Sequence, residues 1–195
     1  MTRLSYTRAI DNVLQPMGFG RAGTWWTRIR GEMEEQLDLQ KSWIDGGVTV
    51  NVWAKNLETN RILKSIRCEQ EMGIIQFGVR IGTLIDGRDR WWRNDPNGPV
   101  GVAEAVSAYA LPWFDQFRSL EDQAAKLYGR GATRPWRTPS TPPLAITLYR
   151  LGEIDEALAL FDAPVPKTAL PNLVAECQCV RRWLQEQQTR TPQSP

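Results

Sequence analysis

An α/β fold of the α+β type is what the chain predicts: an antiparallel sheet of four or five strands with helices on one face, then a C-terminal helical appendage. Two observations carry this. Apolar and polar residues alternate with period two in several stretches between Thr24 and Arg93, whereas helical spacings dominate before Pro16 and after Val100. A proline-rich run from Gly129 to Pro143 then separates the sheet region from the last helical patterns. The chain divides accordingly into a sheet-and-helix domain at 1–130, a connector at 131–143, a helical hairpin and terminal helix at 144–188 and a tail at 189–195.

Element by element, Leu4, Ala9, Ile10, Val13 and Leu14 share one side of a helix over 4–15, which Pro16, Gly18 and Gly20 end. Strands follow at Thr24–Ile29, Gln36–Ser42 and Gly47–Ala54, with Asp45-Gly46-Gly47 as a hairpin turn between the last two. Residues 55–72 are polar, with a short irregular or helical connection over Asn60–Cys68. Gly73–Ile85 reads as another strand, because Ile75, Phe77, Val79 and Ile81 alternate with polar or small residues. Asp86-Gly87 then predicts a second hairpin whose return strand, Arg88–Arg93, carries Trp91 and Trp92. Val102, Val106, Tyr109 and Ala110 fall on helical spacings up to Pro112. Ser119 and Asp122 form a capping box for a helix through Tyr128. Thr141 and Pro142 start a helix that Gly152 ends, Glu153–Phe161 forms the next, and Leu173, Cys177, Val180 and Leu184 mark the last.

Composition excludes several functions. The net charge of +2 provides no strong field, so nucleic acid is not expected as a partner. Histidine is absent, which removes a Ser-His-Asp triad and every histidine-containing metal site. The three cysteines, Cys68, Cys177 and Cys179, make no zinc pattern, and a C-x-C pair on a helix points its thiols about 200° apart. Reduced thiols, no conventional export signal and no spanning segment predict a cytoplasmic protein without a membrane association. No cofactor is expected. The glycine-rich run Gly18–Gly23 lacks the lysine and hydroxyl residue of a phosphate loop.

The words Gly18-Phe19, Trp25-Trp26, Asp38-Leu39-Gln40-Lys41-Ser42 and Thr49-Val50-Asn51-Val52, followed by Val79-Arg80-Ile81-Gly82 and Arg90-Trp91-Trp92, resemble those of the bacterial domain-of-unknown-function family 4304 over residues 4–128. The resemblance implies an α/β fold and carries no established enzymatic activity to transfer. Ala145, Leu148, Tyr149, Gly152, Ala157 and Phe161 further resemble a single tetratricopeptide helix pair within 144–163. An ordinary helical hairpin accounts for the same spacing.

Nine tryptophans are the main positive signal. Trp25-Trp26 and Trp91-Trp92 are adjacent pairs, and in extended strands each pair sends one ring to each face. Arginine is far commoner than lysine among the 24 basic residues and lies beside both pairs. Trp26, Arg28, Arg90 and Trp92 are therefore predicted to share an open face as a partner-binding patch. Internal packing of the same indoles is the competing account. A second, polar candidate combines Gln40, Lys41, Asn51 and Arg80. The function that follows is a non-enzymatic protein-binding module, an adaptor or an immunity-like protein, with an unidentified protein partner and either a monomeric or a homodimeric state. The alternatives are a hydrolase or transferase using carboxylates and arginine at a pocket lined by Lys41, Arg80 and Asp86, and a purely structural domain.

Overall fold

A computed structural model describes residues 5–66, 77–93, 96–130 and 140–190. Contacts group the chain into two compact units, Met1–Asn56 with Ile75–Gln116 and Leu57–Ile74 with Phe117–Pro195. The described residues 57–66 thus group with the C-terminal helices, although they lie within the first stretch of the sequence division.

Alternation along two long strands builds the first unit. In β3 (Met33–Lys41) the residues Met33, Glu35, Leu37 and Leu39 are buried, while Glu34, Gln36, Asp38 and Gln40 on the opposite face are half-buried. Its antiparallel neighbour β4 (Val48–Asn56) matches Leu37 to Val52 and Leu39 to Val50, so the apolar sets coincide. β1 (Gly20–Ala22) and β2 (Trp25–Arg30) extend the sheet on one side and β5 (Phe77–Arg80) on the other, giving a five-stranded antiparallel sheet in the order β1-β2-β3-β4-β5. A two-residue turn joins β2 to β3, with Gly31 at its first position at φ 59°, a backbone region that favours glycine.

Helices cover the apolar face. α1 (Tyr6–Leu14) buries Ala9, Ile10 and Leu14, and packs on α4 (Gly98–Ala105), which continues through a π-helical turn, Val106–Ala110, into α5 (Leu111–Phe114). Each fully buried aliphatic or aromatic side chain in this layer contributes about 1.5–3 kcal/mol through the hydrophobic effect. Two-layer architecture follows from that single burial.

Two expectations change. The run Gly73–Ile85 is not one strand: β5 stops at Arg80 and α3 (Ile81–Asp86) begins, while the stretch before Phe77 lies outside the described residues. Gly87, at φ 77°, caps α3 instead of turning a hairpin. Within α3 the chain makes a close approach: a Cβ on Gly82 would lie 2.4 Å from the Arg88 carbonyl oxygen. The segment after α3 then returns to β4 through a single antiparallel bridge between Trp92 and Val48.

The second unit is helical: α2 (Leu57–Ser65), α6 (Leu120–Gly129), α7 (Thr141–Arg150), α8 (Ile154–Ala159) and α9 (Pro171–Arg190). α7 is buried continuously from Thr141 to Leu148 and touches each of the other four, as a central helix does. Leu173, Cys177, Val180 and Leu184 form the buried stripe of α9, and Trp183 meets Tyr149 edge-on at 4.8 Å. The predicted capping box is present: Ser119 Oγ accepts from the Asp122 N–H and the Asp122 carboxylate accepts from the Ser119 N–H. Cys177 and Cys179 are free thiols; Cys68 and the Pro-rich stretch 131–139 lie outside the described residues. No described helix is long and apolar enough to cross a membrane, and no metal-ligating cluster occurs among the described residues.

Candidate functional site

Parity decides which face of the sheet each indole of a pair takes. Trp26 pairs with Leu37 and therefore points to the helix-covered face, where it is 0% exposed and donates from Nε1 to Asp11 Oδ1 at 2.8 Å. Trp25 pairs with Asp38 on the polar face and is 44% exposed. Trp92, bridged to Val48, follows that residue to the covered side, where its indole lies against Gly101 of α4. Trp91 takes the polar face.

Of the predicted patch of Trp26, Arg28, Arg90 and Trp92, Trp26 is corrected: it is buried and does not lie on an open face. Arg28 is a fold residue. Its Nε donates to Glu35 Oε2 at 2.9 Å and its Nη1 to the Met17 carbonyl at 2.7 Å, with the guanidinium 4.4 Å from the Phe19 ring. Glu35 is 1% exposed and also pairs with Arg30, which reaches on to Asp115. Arg90 is exposed and lies 5.6 Å from the Trp92 ring, so these two remain together.

Three of the four residues of the polar candidate do converge. Asp38, Asn51 and Arg80 are register partners across β3, β4 and β5, and Trp25 completes the row on β2. Asn51 Nδ2 donates to Asp38 Oδ2 at 3.2 Å and to Gln40 Oε1 at 3.1 Å, and Arg80 Nη2 donates to the same Gln40 oxygen at 3.3 Å. Arg80 Nη1 reaches Asp89 Oδ2 at 2.5 Å, which Trp91 Nε1 also approaches at 3.1 Å. The result is a hydrogen-bonded row from Asp38 to Trp91 with the Trp25 indole beside Asp38, and from Trp25 to Arg80 it crosses three strand spacings, about 14 Å. Lys41 is the exception. It neighbours Gln40 in an extended strand, so its side chain leaves from the opposite face.

The residues named for a catalytic pocket separate for the same reason. Arg80 is engaged in the row, Lys41 is on the other face, and the Asp86 carboxylate accepts from the Arg88 N–H at the end of α3. Asp38 and Asp89, the carboxylates of the row, are each bound by donors from Asn51, Arg80 or Trp91.

Residues 10–116 match the family model described as a domain of unknown function, DUF4304. The chain belongs to this family. No curated protein and no solved structure matches it. In this DUF4304 member the matched span contains all five strands and both indole pairs, so the polar row lies within the family domain.

The sequence pattern placed the buried Trp26, rather than Trp25, on the open face, and passed over a further aromatic feature. Trp43 is 93% exposed and Ile44 78% exposed in the turn between β3 and β4. Two large apolar residues between Ser42 and Asp45, where a turn ordinarily carries polar ones, were the available signal. Ser42 Oγ accepts from the Ile44 N–H at 3.2 Å and Asp45 Oδ1 from the Gly47 N–H at 3.1 Å, which holds the turn in place. The Asp45 carboxyl lies below the ordinary aspartate range because of the hydrogen bond with Ser42, then that with Gly47.

Proposed function

We propose that this DUF4304 protein is a protein-binding module whose contact surface is the polar face of the sheet. The observation that supports the reading is the placement of two indoles, Trp25 and Trp91, at the ends of a polar row on the face opposite the helix-packed side of the same unit. Half-exposed tryptophan beside arginine and amide groups combines a large apolar contact with directional hydrogen bonds, the pattern of interface hot spots. A row of about 14 Å suits an extended partner segment of roughly four residues.

The test is a display library of random linear peptides panned against the full chain. Trp25→Ala is expected to abolish capture of the enriched peptides, because Trp25 is exposed and outside the core, whereas Arg90→Ala, on the other side of the sheet, retains it. Enriched peptides whose capture ignores Trp25 and Trp91 would remove this surface as the binding site.

A further inference from the structure

We infer that the polar face receives an arginine side chain from the partner segment, stacked on the Trp25 indole and hydrogen-bonded to the Asp38 carboxylate. The inference rests on the polar face being the binding surface, as proposed above.

The row itself contains the template. At its β5 end, the Arg80 guanidinium stands 5.3 Å from the centre of the Trp91 ring and donates to Asp89, whose carboxylate also accepts from the Trp91 N–H. Indole, carboxylate and guanidinium form a trio with its charge balanced. At the β2 end an indole and a carboxylate are again neighbours. Trp25 and Asp38 are direct cross-strand partners, which places their Cβ atoms about 5 Å apart. The third member differs: the hydrogen-bond partner of Asp38 is the neutral amide of Asn51, and no lysine or arginine among the described residues pairs with it.

Charge accounting along the face points the same way. Lys55 Nζ lies 2.9 Å from Glu34 Oε1, and Arg80 balances Asp89. Among the described residues, Asp38 is the charge of this row without a counter-ion, and it is half-buried, where a carboxylate is less well solvated than on an open surface. A guanidinium satisfies both groups at once, its plane lying on the indole while its edge donates to the carboxylate. An ammonium has no plane to stack, so lysine is the poorer occupant.

The experiment uses the peptides selected on the full chain that depend on Trp25, with affinity read by fluorescence polarisation. These peptides are expected to share an arginine. Replacing it with citrulline, its neutral isostere, weakens binding about tenfold or more, as loss of a charge-assisted hydrogen bond does. Asp38→Asn in the protein weakens binding comparably, and the two changes together cost little more than either alone. The citrulline arm leaves the protein untouched, so it reports even where Asp38→Asn disturbs folding. Trp25-dependent peptides without a common arginine, or a citrulline penalty as large in Asp38→Asn as in the natural protein, would overturn the inference and leave the proposed function standing. Absence of any Trp25-dependent peptide would remove the proposed function and this inference with it.

Discussion

On the covered face of the sheet, Trp26 and Arg28 are absorbed by the fold: the indole is sealed against α1 and hydrogen-bonded to Asp11, and the guanidinium is held by Glu35, Met17 and Phe19. On the polar face, Trp25 and Arg80 belong to the same residue types but terminate a row of amides and carboxylates. One residue of register separates the two outcomes. Because strand side chains alternate, a slip by one position in β2 would exchange Trp25 for Trp26 and with it surface for core. The difference teaches that composition near an indole says little about its role, whereas its cross-strand partner, Leu37 or Asp38, says nearly everything.

The sharpest way to break this comparison is to truncate each ring. Trp26→Ala is expected to cost about 3–5 kcal/mol, the range for removing a buried large aromatic, and to orphan the Asp11 carboxylate from its indole donor. Trp25→Ala on the neighbouring position costs less than about 1 kcal/mol. Urea denaturation of the two variants measures the gap directly. Equal losses would mean that the polar face is as much a core as its opposite.

Glu35→Ala tests the same contrast in charge and ranks next. Its carboxylate is 1% exposed and holds both Arg28 and Arg30, so its removal leaves Arg28 enclosed without its carboxylate. A loss of about 3 kcal/mol is expected, reduced from the upper range because Arg30 remains partly in water. Asp89→Ala, cutting the pair on the polar face, stays below about 1 kcal/mol in the same urea titration.

The helical unit sharpens the comparison with a carboxyl group that burial alone perturbs. Burial on α9 pushes the Glu176 carboxyl up to about 7, from 4.5. Folded Glu176 therefore holds its proton while the unfolded chain releases it, so folding stability falls as pH rises from about 4.5 to about 7 and levels off above. Glu176→Gln removes that fall: the variant matches the natural protein near pH 4 and exceeds it near pH 8. Thermal midpoints across this range decide the matter, and parallel pH profiles would refute the assignment.

Much of the architecture was legible because period-two alternation in β3 and β4 and helical stripes such as Leu173–Leu184 are local patterns with one physical solution. The end of β5 was not. Ile81 continues the alternation, yet α3 begins there and sets Gly82 against Arg88 and Arg90, a contact between residues that no local period encodes. The site was half legible. Adjacent tryptophans had to part across the sheet, yet the choice between them required the β2–β3 register, which Gly31 sets by turning the chain in two residues. With Leu37 inward and that turn in place, Trp26 has to be inward too. The row of Gln40, Asn51 and Arg80 came from residues suited to polar contact, and Lys41 was misplaced by ignoring the same alternation.

The smallest expected effect belongs to Trp43, and its size is the point. A tryptophan that is 93% exposed has almost no apolar area removed from water, so Trp43→Ser leaves stability within about 0.5 kcal/mol. The turn does not depend on the ring, because Ser42 N–H donates to the Gly47 carbonyl at 2.7 Å, Ser42 Oγ accepts from the Ile44 and Asp45 N–H groups and Asp45 Oδ1 accepts from the Gly47 N–H. Ser42→Ala, which removes the acceptor for Ile44 and Asp45, should therefore destabilise more than Trp43→Ser, by about 1 kcal/mol. The two variants compared in one urea series separate a side chain that builds the turn from one that the turn merely displays. A reversal of their order would place Trp43 with Trp26 among the core indoles and erase the distinction between buried and presented tryptophan on which the polar-face assignment depends.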